Sequence, residues 1–381
     1  MLHDKRTREI GYQAGLVLAL LALTYFFVRN ASDNMLKAGI ASGFDFLWRG
    51  AGIEVAFVFT GYTPQSSILA LFWAGVVNTL IVSALAMALS TVLGFLIGLA
   101  RLSPIWLLST VAGAFIEFVR NIPLLFFVLF WYFGVIAALP QPRGSIGFFG
   151  VAFLNNRGLT VASPIEPQVL LWPLAALALG CVGLWVIAGA ARRRKAATGR
   201  DAPVGLAAFA LLAAIPSVVL LLAARSTGWD VPALRGFNYR GGLVLIPEFV
   251  ALLAALVTYT AGFIAEIVRG GIAAVPKGQR EAAAALGLGS GQALRFVVAP
   301  QALRVILPPL TSQYLNVLKN SSFGAAIAYP DVVSLFMGSA LNNTGQAIEI
   351  VAMTLAVYLV IGLLVSALMN VWNARTAIVT R

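Results

Sequence analysis

Glu281-Ala-Ala-Ala-Ala-Leu-Gly-Leu-Gly-Ser-Gly-Gln-Ala-Leu-Arg-Phe-Val-Val-Ala-Pro300 is a polar, glycine-broken segment between two long apolar runs. Glu281, Ala282 and Ala283 begin a short helix in residues of high helix propensity. Gly287, Gly289 and Gly291 then bend the chain, because glycine populates backbone angles that other residues avoid. A second short helix is expected from Gln292 to Val298, stopped by Pro300, which lacks a backbone N–H. The segment therefore predicts a compact knob of helix, glycine turn and helix, with one acid at its front and Lys277, Arg280 and Arg295 around it.

The runs on either side decide the solvent. The chain is 60% apolar and only 10% charged, with a mean hydropathy of +0.91, against an apolar share of about 45–50% for soluble domains. It belongs in lipid. A length of 381 residues holds on the order of eight apolar helices of ~20 residues each with their loops. The expected fold class is all-α, a polytopic membrane protein of about eight spans. The net charge of +12 needs no nucleic acid as partner, since Lys and Arg collect on the cytoplasmic side of membrane proteins. Cys181 and His3 are each alone, so neither a disulfide, a metal set nor a histidine-based triad is available. The sequence also has no phosphate-cradling GxxxxGK[ST] loop. If ATP drives this protein, another chain binds it.

Taken in order, residues 1–70 read as an N-terminal span followed by an extracytoplasmic segment. Lys5, Arg6 and Arg8 precede the apolar run Ile10–Val28 and hold its start in the cytoplasm. No small-x-small site follows it, which favours a retained span over a cleaved leader. Between residues 30 and 70, Phe44, Phe46, Trp48, Ile53, Val55, Phe57 and Phe59 alternate with polar or small residues, as suits a segment lying at headgroup depth. The run Leu71–Ala100 carries Ser90, Gly94 and Gly98 at four-residue spacing, a stripe that lets another helix approach closely. Leu107–Leu139 is expected to be one span containing Glu117, Arg120 and Asn121. Glu117 and Arg120 are i, i+3 neighbours able to pair; the stretch reads either as a structural ion pair or a helix break at the cytoplasmic lip, or as gate or substrate-pathway groups. Residues 140–168 read as an outer loop. Two further runs, Val169–Ala190 and Val204–Ala224, flank a basic turn, Arg192-Arg193-Arg194-Lys195 with Arg200, that must be cytoplasmic. Pro247–Val275 contains Glu266 and Arg269, a second Glu-x-x-Arg pair. The next run passes through Asn316, Lys319 and Asn320. Ionisable groups inside a span cost ~2.5–3.5 kcal/mol each on insertion scales, so these mark a pathway or a helix-to-helix pair. Asp331 reads as part of an outer turn. This arrangement puts fifteen cations inside and eight outside and leaves the knob and both termini in the cytoplasm.

The spacing of Glu281, Ala282, Ala283, Gly287, Val297 and Pro300 resembles the cytoplasmic coupling loop of binding-protein-dependent ABC importer permeases. Ala299 departs from it, standing where that family usually has Leu. Arg120, Pro123, Leu124 and Leu125 are similar to the start of that family's second core helix. The run Gly270-Gly-Ile-Ala-Ala-Val-Pro-Lys-Gly-Gln-Arg280 and the cluster Leu318–Phe323 resemble its polar amino-acid branch (histidine, glutamine and general L-amino acid systems). The likeness covers roughly residues 71–136 and 247–370.

It implies a five-helix core built from 71–139 and 247–381, with a coupling loop at 276–300, interrupted by outer loops and an inserted hairpin over 140–246. Arg280, Glu281, Ala282, Ala283, Gly287, Arg295 and Pro300 would then engage an ATPase subunit dimer. ATP and magnesium would sit on that ATPase, and this chain would hold no cofactor and perform no catalysis. Glu117, Arg120, Asn121, Glu266, Arg269, Asn316, Lys319 and Asn320 are the pathway candidates. The implied partners are a second, related permease chain, a periplasmic amino-acid-binding protein and the amino-acid cargo, in a bacterial cytoplasmic membrane. The alternative is an ion-coupled secondary transporter, which also needs intramembrane charge and broken helices but has no use for a docking knob.

Overall fold

The computed structural model describes residues 5–37, 43–166, 169, 171–198, 207–208 and 210–376; His3, Arg200 and Arg381 lie outside them. The helices are α1 (Lys5–Lys37), α2 (Ile68–Arg101), α3 (Trp106–Arg120), α4 (Leu124–Leu129), α5 (Leu171–Thr198), α6 (Ile215–Thr227), α7 (Pro247–Ala273), α8 (Lys277–Ala285), α9 (Ser290–Ala293), α10 (Ala299–Asn320), α11 (Leu341–Thr344) and α12 (Ala347–Thr376). The strands are β1 (Ile146–Phe148), β2 (Ala152–Asn155), β3 (Gly158–Val161), β4 (Ser163–Pro164), β5 (Trp229–Asp230), β6 (Ala233–Arg235), β7 (Asn238–Arg240) and β8 (Leu243–Leu245).

Four stretches are long and apolar enough to cross a membrane: Ile68–Arg101, Pro247–Ala273, Ser290–Ile327 and Ala347–Asn370. A fifth forms if α3 and the helix from Leu124 to Ile136 count as one span, although they meet at 107°. Gly11–Phe27, Ala175–Ala191 and Ala210–Ala223 are apolar helices of under 18 residues. The described residues therefore give four spans, or five, where composition suggested about eight. The single run expected over Leu107–Leu139 is broken at Pro123, which cannot donate and disfavours the helical region for the one residue before it. The fold is predominantly helical, not all-α: segments expected to be plain outer loops form a four-stranded antiparallel sheet in the order β1-β2-β3-β8, with two small ladders, β4-β5 and β6-β7.

The chain divides into two compact units, Met1–Ala84 with Val275–Arg381, and Leu85–Ala274. In the first, α1 runs past Val28 to Lys37. The aromatic segment after it is partly packed into the protein. Phe46 and Phe57 are buried, and Phe46 joins a core with Leu71, Phe72, Val332 and Phe336, whereas Phe44 and Trp48 stay exposed. Asn78, wholly buried on α2, fastens this segment: its Nδ2 donates to Phe57 O (3.1 Å) and Pro330 O (2.8 Å), and its Oδ1 accepts from Phe59 N–H (3.2 Å). Thr79 Oγ1 accepts from Val332 N–H at 3.1 Å. Asp331, in the bend before residue 332, is likewise buried. Its Oδ1 accepts from Ser334 N–H (2.7 Å), and burial, partly offset by such backbone donors, pushes the carboxyl up to about 7.

In the second unit, the small-residue stripe of α2 meets α7. A Cβ on Gly94 would stand 2.6 Å from Cβ of Ile264, and one on Gly98 would stand 2.8 Å from the carbonyl oxygen of Ala265. Helix association in lipid depends on such close packing, since lipid tails are as apolar as leucine. Gly94→Val is therefore expected to lower stability by about 1–3 kcal/mol through overpacking, read as a lower melting temperature in detergent. An unchanged melting temperature would show that the two helices do not need this contact. Trp131 Nε1 donates to Thr258 Oγ1 (3.0 Å), and Tyr132 OH to Glu248 Oε1 (2.8 Å), tying the segment after α4 to α7.

Candidate coupling and pathway sites

The knob lies in the first unit and begins earlier than its sequence suggests. Helix α8 starts at Lys277, directly after Pro276, so Glu281 is at its middle. The helix ends in a Schellman motif: Leu288 N–H donates to Ala283 O (3.1 Å) and Gly287 N–H to Ala284 O (2.9 Å), with Gly287 at φ 76°. Only a residue free of a Cβ takes that angle without strain. Gly289 and Gly291, by contrast, make no left-handed bend. Gly289 instead precedes α9, donating its N–H to Gln292 Oε1 (3.1 Å).

Pro300 does not stop the second arm. α9 passes through a wide turn, Leu294–Val298, into α10 without a break, with Pro300 in the first turn of α10. In the wide turn Ala299 N–H bonds five residues back, to Leu294 O. This re-registers the helix just where proline removes the next donor. Gln301 Nε2 donates to Gln279 Oε1 (3.2 Å), clasping the two arms.

Of the predicted coupling residues, Ala283 is buried at 2% exposure and forms the inner face of the knob. Arg280, Glu281, Ala282, Gly287, Arg295 and Pro300 are exposed. The Arg295 guanidinium lies over the Phe296 ring, 5.5 Å from its centroid. Charge-based reading missed Leu286, Leu294 and Phe296, which stand 80%, 46% and 61% exposed on this polar segment. The signal was present: apolar side chains in a glycine-broken loop with no second apolar face to cover them.

The first unit also holds Asn316, Lys319 and Asn320. They share a face of α10, where Asn316 and Lys319 are exposed and Asn320 half-buried, while Val317 and Leu318 point into the core.

The second unit holds the two Glu-x-x-Arg motifs, and they behave differently. Glu266 and Arg269 form a forked pair on α7, with Nε to Oε2 at 2.8 Å and Nη2 to Oε1 at 2.6 Å. Glu117 and Arg120 form no such pair among the described residues; both side chains are exposed on α3. The expected i, i+3 bridge is replaced by longer-range attraction between helices. Arg120 and Arg101 add to the positive field at Glu266, and Glu117 to the negative field at Arg269. Asn121 turns back on its own helix, where its Nδ2 caps Glu117 O at 2.7 Å. The result is a group of acids and bases at the α3–α7 contact with one tight pair and other charges left to interact more loosely.

Among known proteins, the family model for the inner membrane component of binding-protein-dependent transport systems matches residues 203–378. YhdX of Escherichia coli, named a putative amino-acid ABC transporter permease protein, is 48% identical over 97% of this chain and 94% of its own length. AapQ of Rhizobium johnstonii, a general L-amino acid transport system permease, is 43% identical over 100% and 95%.

This chain is a binding-protein-dependent ABC transporter permease. BztB of Rhodobacter capsulatus, from a glutamate/glutamine/aspartate/asparagine transport system, is 36% identical over 98% of the chain and 94% of its own length. Alignments of that extent run through residues 140–246, so the inserted sheet and hairpin fall inside the region shared with these permeases. Membership in the family also leaves the ion-coupled alternative without support.

Proposed function

We propose that this permease is one membrane subunit of an ATP-driven importer that moves polar L-amino acids inward across the cytoplasmic membrane. The observation that carries this reading is its end-to-end similarity to three permeases named for amino-acid transport. In this reading the chain performs no bond chemistry. The knob faces the cytoplasm and docks in a cleft on an ATPase dimer that binds ATP and magnesium. Leu286, Leu294 and Phe296 supply apolar contact, Glu281, Arg280 and Arg295 supply charge, Gly287 fixes the bend, Ala282 allows close approach, and Ala283 packs the inner face of the knob. The wide turn before Pro300 hands motion of the knob to α10 without a flexible joint. A related second permease completes the pathway, and a soluble binding protein delivers cargo from outside.

Glu266 with Arg269, Glu117 with Arg120, and the Asn316, Lys319 and Asn320 face of α10 are the polar groups offered to a zwitterion leaving water, whose two charges need partners. Neutralising Lys319 (Lys319→Gln) or Glu266 (Glu266→Gln) is expected to lower uptake about tenfold, as the loss of one charge-assisted hydrogen bond does. Stimulated ATP hydrolysis should fall with it. Normal uptake in either variant would remove that residue from the pathway. The reading as a whole is tested by purification and reconstitution. An ATPase should co-purify with the chain, and uptake should require ATP; uptake driven by an ion gradient with the chain alone would overturn it.

A further inference from the structure

The inserted sheet carries two features that the import cycle leaves unexplained, and both belong to the second unit. Val151 N–H donates to Phe148 O (3.1 Å), closing a turn whose central residues, Phe149 and Gly150, have φ of 52° and 72°. Such turns prefer Asn-Gly or Gly-Gly, and a bulky side chain at positive φ is strained. The Phe149 ring gains nothing within the chain in return, since it is 100% exposed. Strain held at an exposed aromatic points to use elsewhere.

The second feature is at the other end of the same hairpin. Gln141, Arg143, Asn156, Arg157 and Phe237 line a polar hollow of about 150 Å³. Arg143 lies over the Phe237 ring at 4.7 Å. Asn156 Oδ1 is buried without a partner. Neither guanidinium has a carboxylate partner among the described residues. Strands β1 to β8 and their turns, residues 140–164 and 229–245, contain four arginines and a single acid, Asp230, whose Oδ2 is already engaged by Gly242 N–H (2.9 Å). An excess of arginine on the outer side runs against the usual placement of cations.

The base of the sheet is fixed to helix ends: Asn156 N–H donates to Pro140 O (3.0 Å), and β8 ends two residues before α7 begins. The Phe149 turn is therefore the end that projects away from the helices, about 10 Å further out along three-residue strands.

We propose that this hairpin is a contact surface for the soluble binding protein, with Phe149 entering an apolar recess on it and the Arg143–Arg157 hollow receiving one of its acidic side chains. Exposed aromatics and arginines are what interface hot spots are made of, and the excess positive charge selects an acidic partner face. The inference rests on the importer reading and on the sheet facing outward.

The test uses the assembled transporter, with its ATPase and second permease, in proteoliposomes. The probe is the binding protein purified as the soluble component whose addition starts uptake. Phe149→Asn removes the ring but leaves Asn-Gly, the pair this turn prefers, so folding is retained. The concentration of binding protein that half-maximally stimulates ATP hydrolysis should rise about tenfold, the loss of one aromatic anchor, with basal hydrolysis unchanged. Replacing both arginines (Arg143→Gln with Arg157→Gln) should also raise it and should flatten its dependence on salt. Unchanged half-saturation in either variant overturns the proposal. An arginine effect that follows the anionic-lipid content of the vesicles, and not the binding protein, overturns it too, by assigning the hollow to a headgroup phosphate. If no soluble component stimulates the unaltered transporter, the importer reading itself fails, and this inference with it.

Discussion

Reversing the charge at Glu281 (Glu281→Arg) is expected to cut ATP-driven uptake at least tenfold while the chain stays inserted and folded. Glu281 is exposed at the middle of α8 and makes no ion pair among the described residues, so the fold should lose no more than about 0.5 kcal/mol, as for most surface changes. A docked interface responds differently, because like charges brought together across it cost several kcal/mol. The two readouts should therefore separate: melting temperature unchanged, uptake lost, and ATP hydrolysis no longer stimulated by cargo. Wild-type uptake in this variant would mean that the exposed face of α8 is not the docking face.

Asn78→Leu is expected to have the largest effect on stability. The substitution keeps volume and is neutral or favourable for insertion into lipid, yet it removes hydrogen bonds to Phe57 O and Pro330 O and from Phe59 N–H. Each orphaned backbone group costs about 1–3 kcal/mol when buried. Asn78 is wholly buried, so bulk solvent does not replace the lost partner. Several kcal/mol should be lost together, enough to abolish monodisperse protein in detergent. Thr79→Val, which breaks the single bond to Val332 N–H, should cost only part of this. A wild-type melting temperature for Asn78→Leu would show that the segment around Phe57 and Phe59 is held by its apolar contacts alone.

Elements governed by local rules were legible in the sequence. The apolar runs, the bend at Gly287 and the Gly94 and Gly98 stripe follow from hydropathy, backbone freedom and side-chain size. Contacts between distant segments were less legible. Phe46 and Phe57 alternate with polar residues as an interfacial strip would, but Phe46 is buried against Val332 and Phe336, nearly 300 residues away. Glu117 and Arg120 have the spacing of a helical pair, but they interact instead with the Glu266–Arg269 pair of the neighbouring α7. Pro300 looked like a stop because one rule, the missing donor, was read without the wide turn that compensates for it. The sheet escaped notice because its strands have two to four residues, too short for alternation to register.

The knob's exposure to the cytoplasm and its contact with an ATPase underlie the functional account, and one experiment addresses both. Cys181, the only native cysteine, is replaced by serine, and Leu286→Cys places a thiol on the most exposed apolar position of the knob. The predicted result is a cross-link from that thiol to the ATPase subunit whose yield changes with bound nucleotide, together with protection from a membrane-impermeant maleimide applied to intact cells. Labelling from outside, or a fully reactive thiol that never reaches the ATPase, would contradict it.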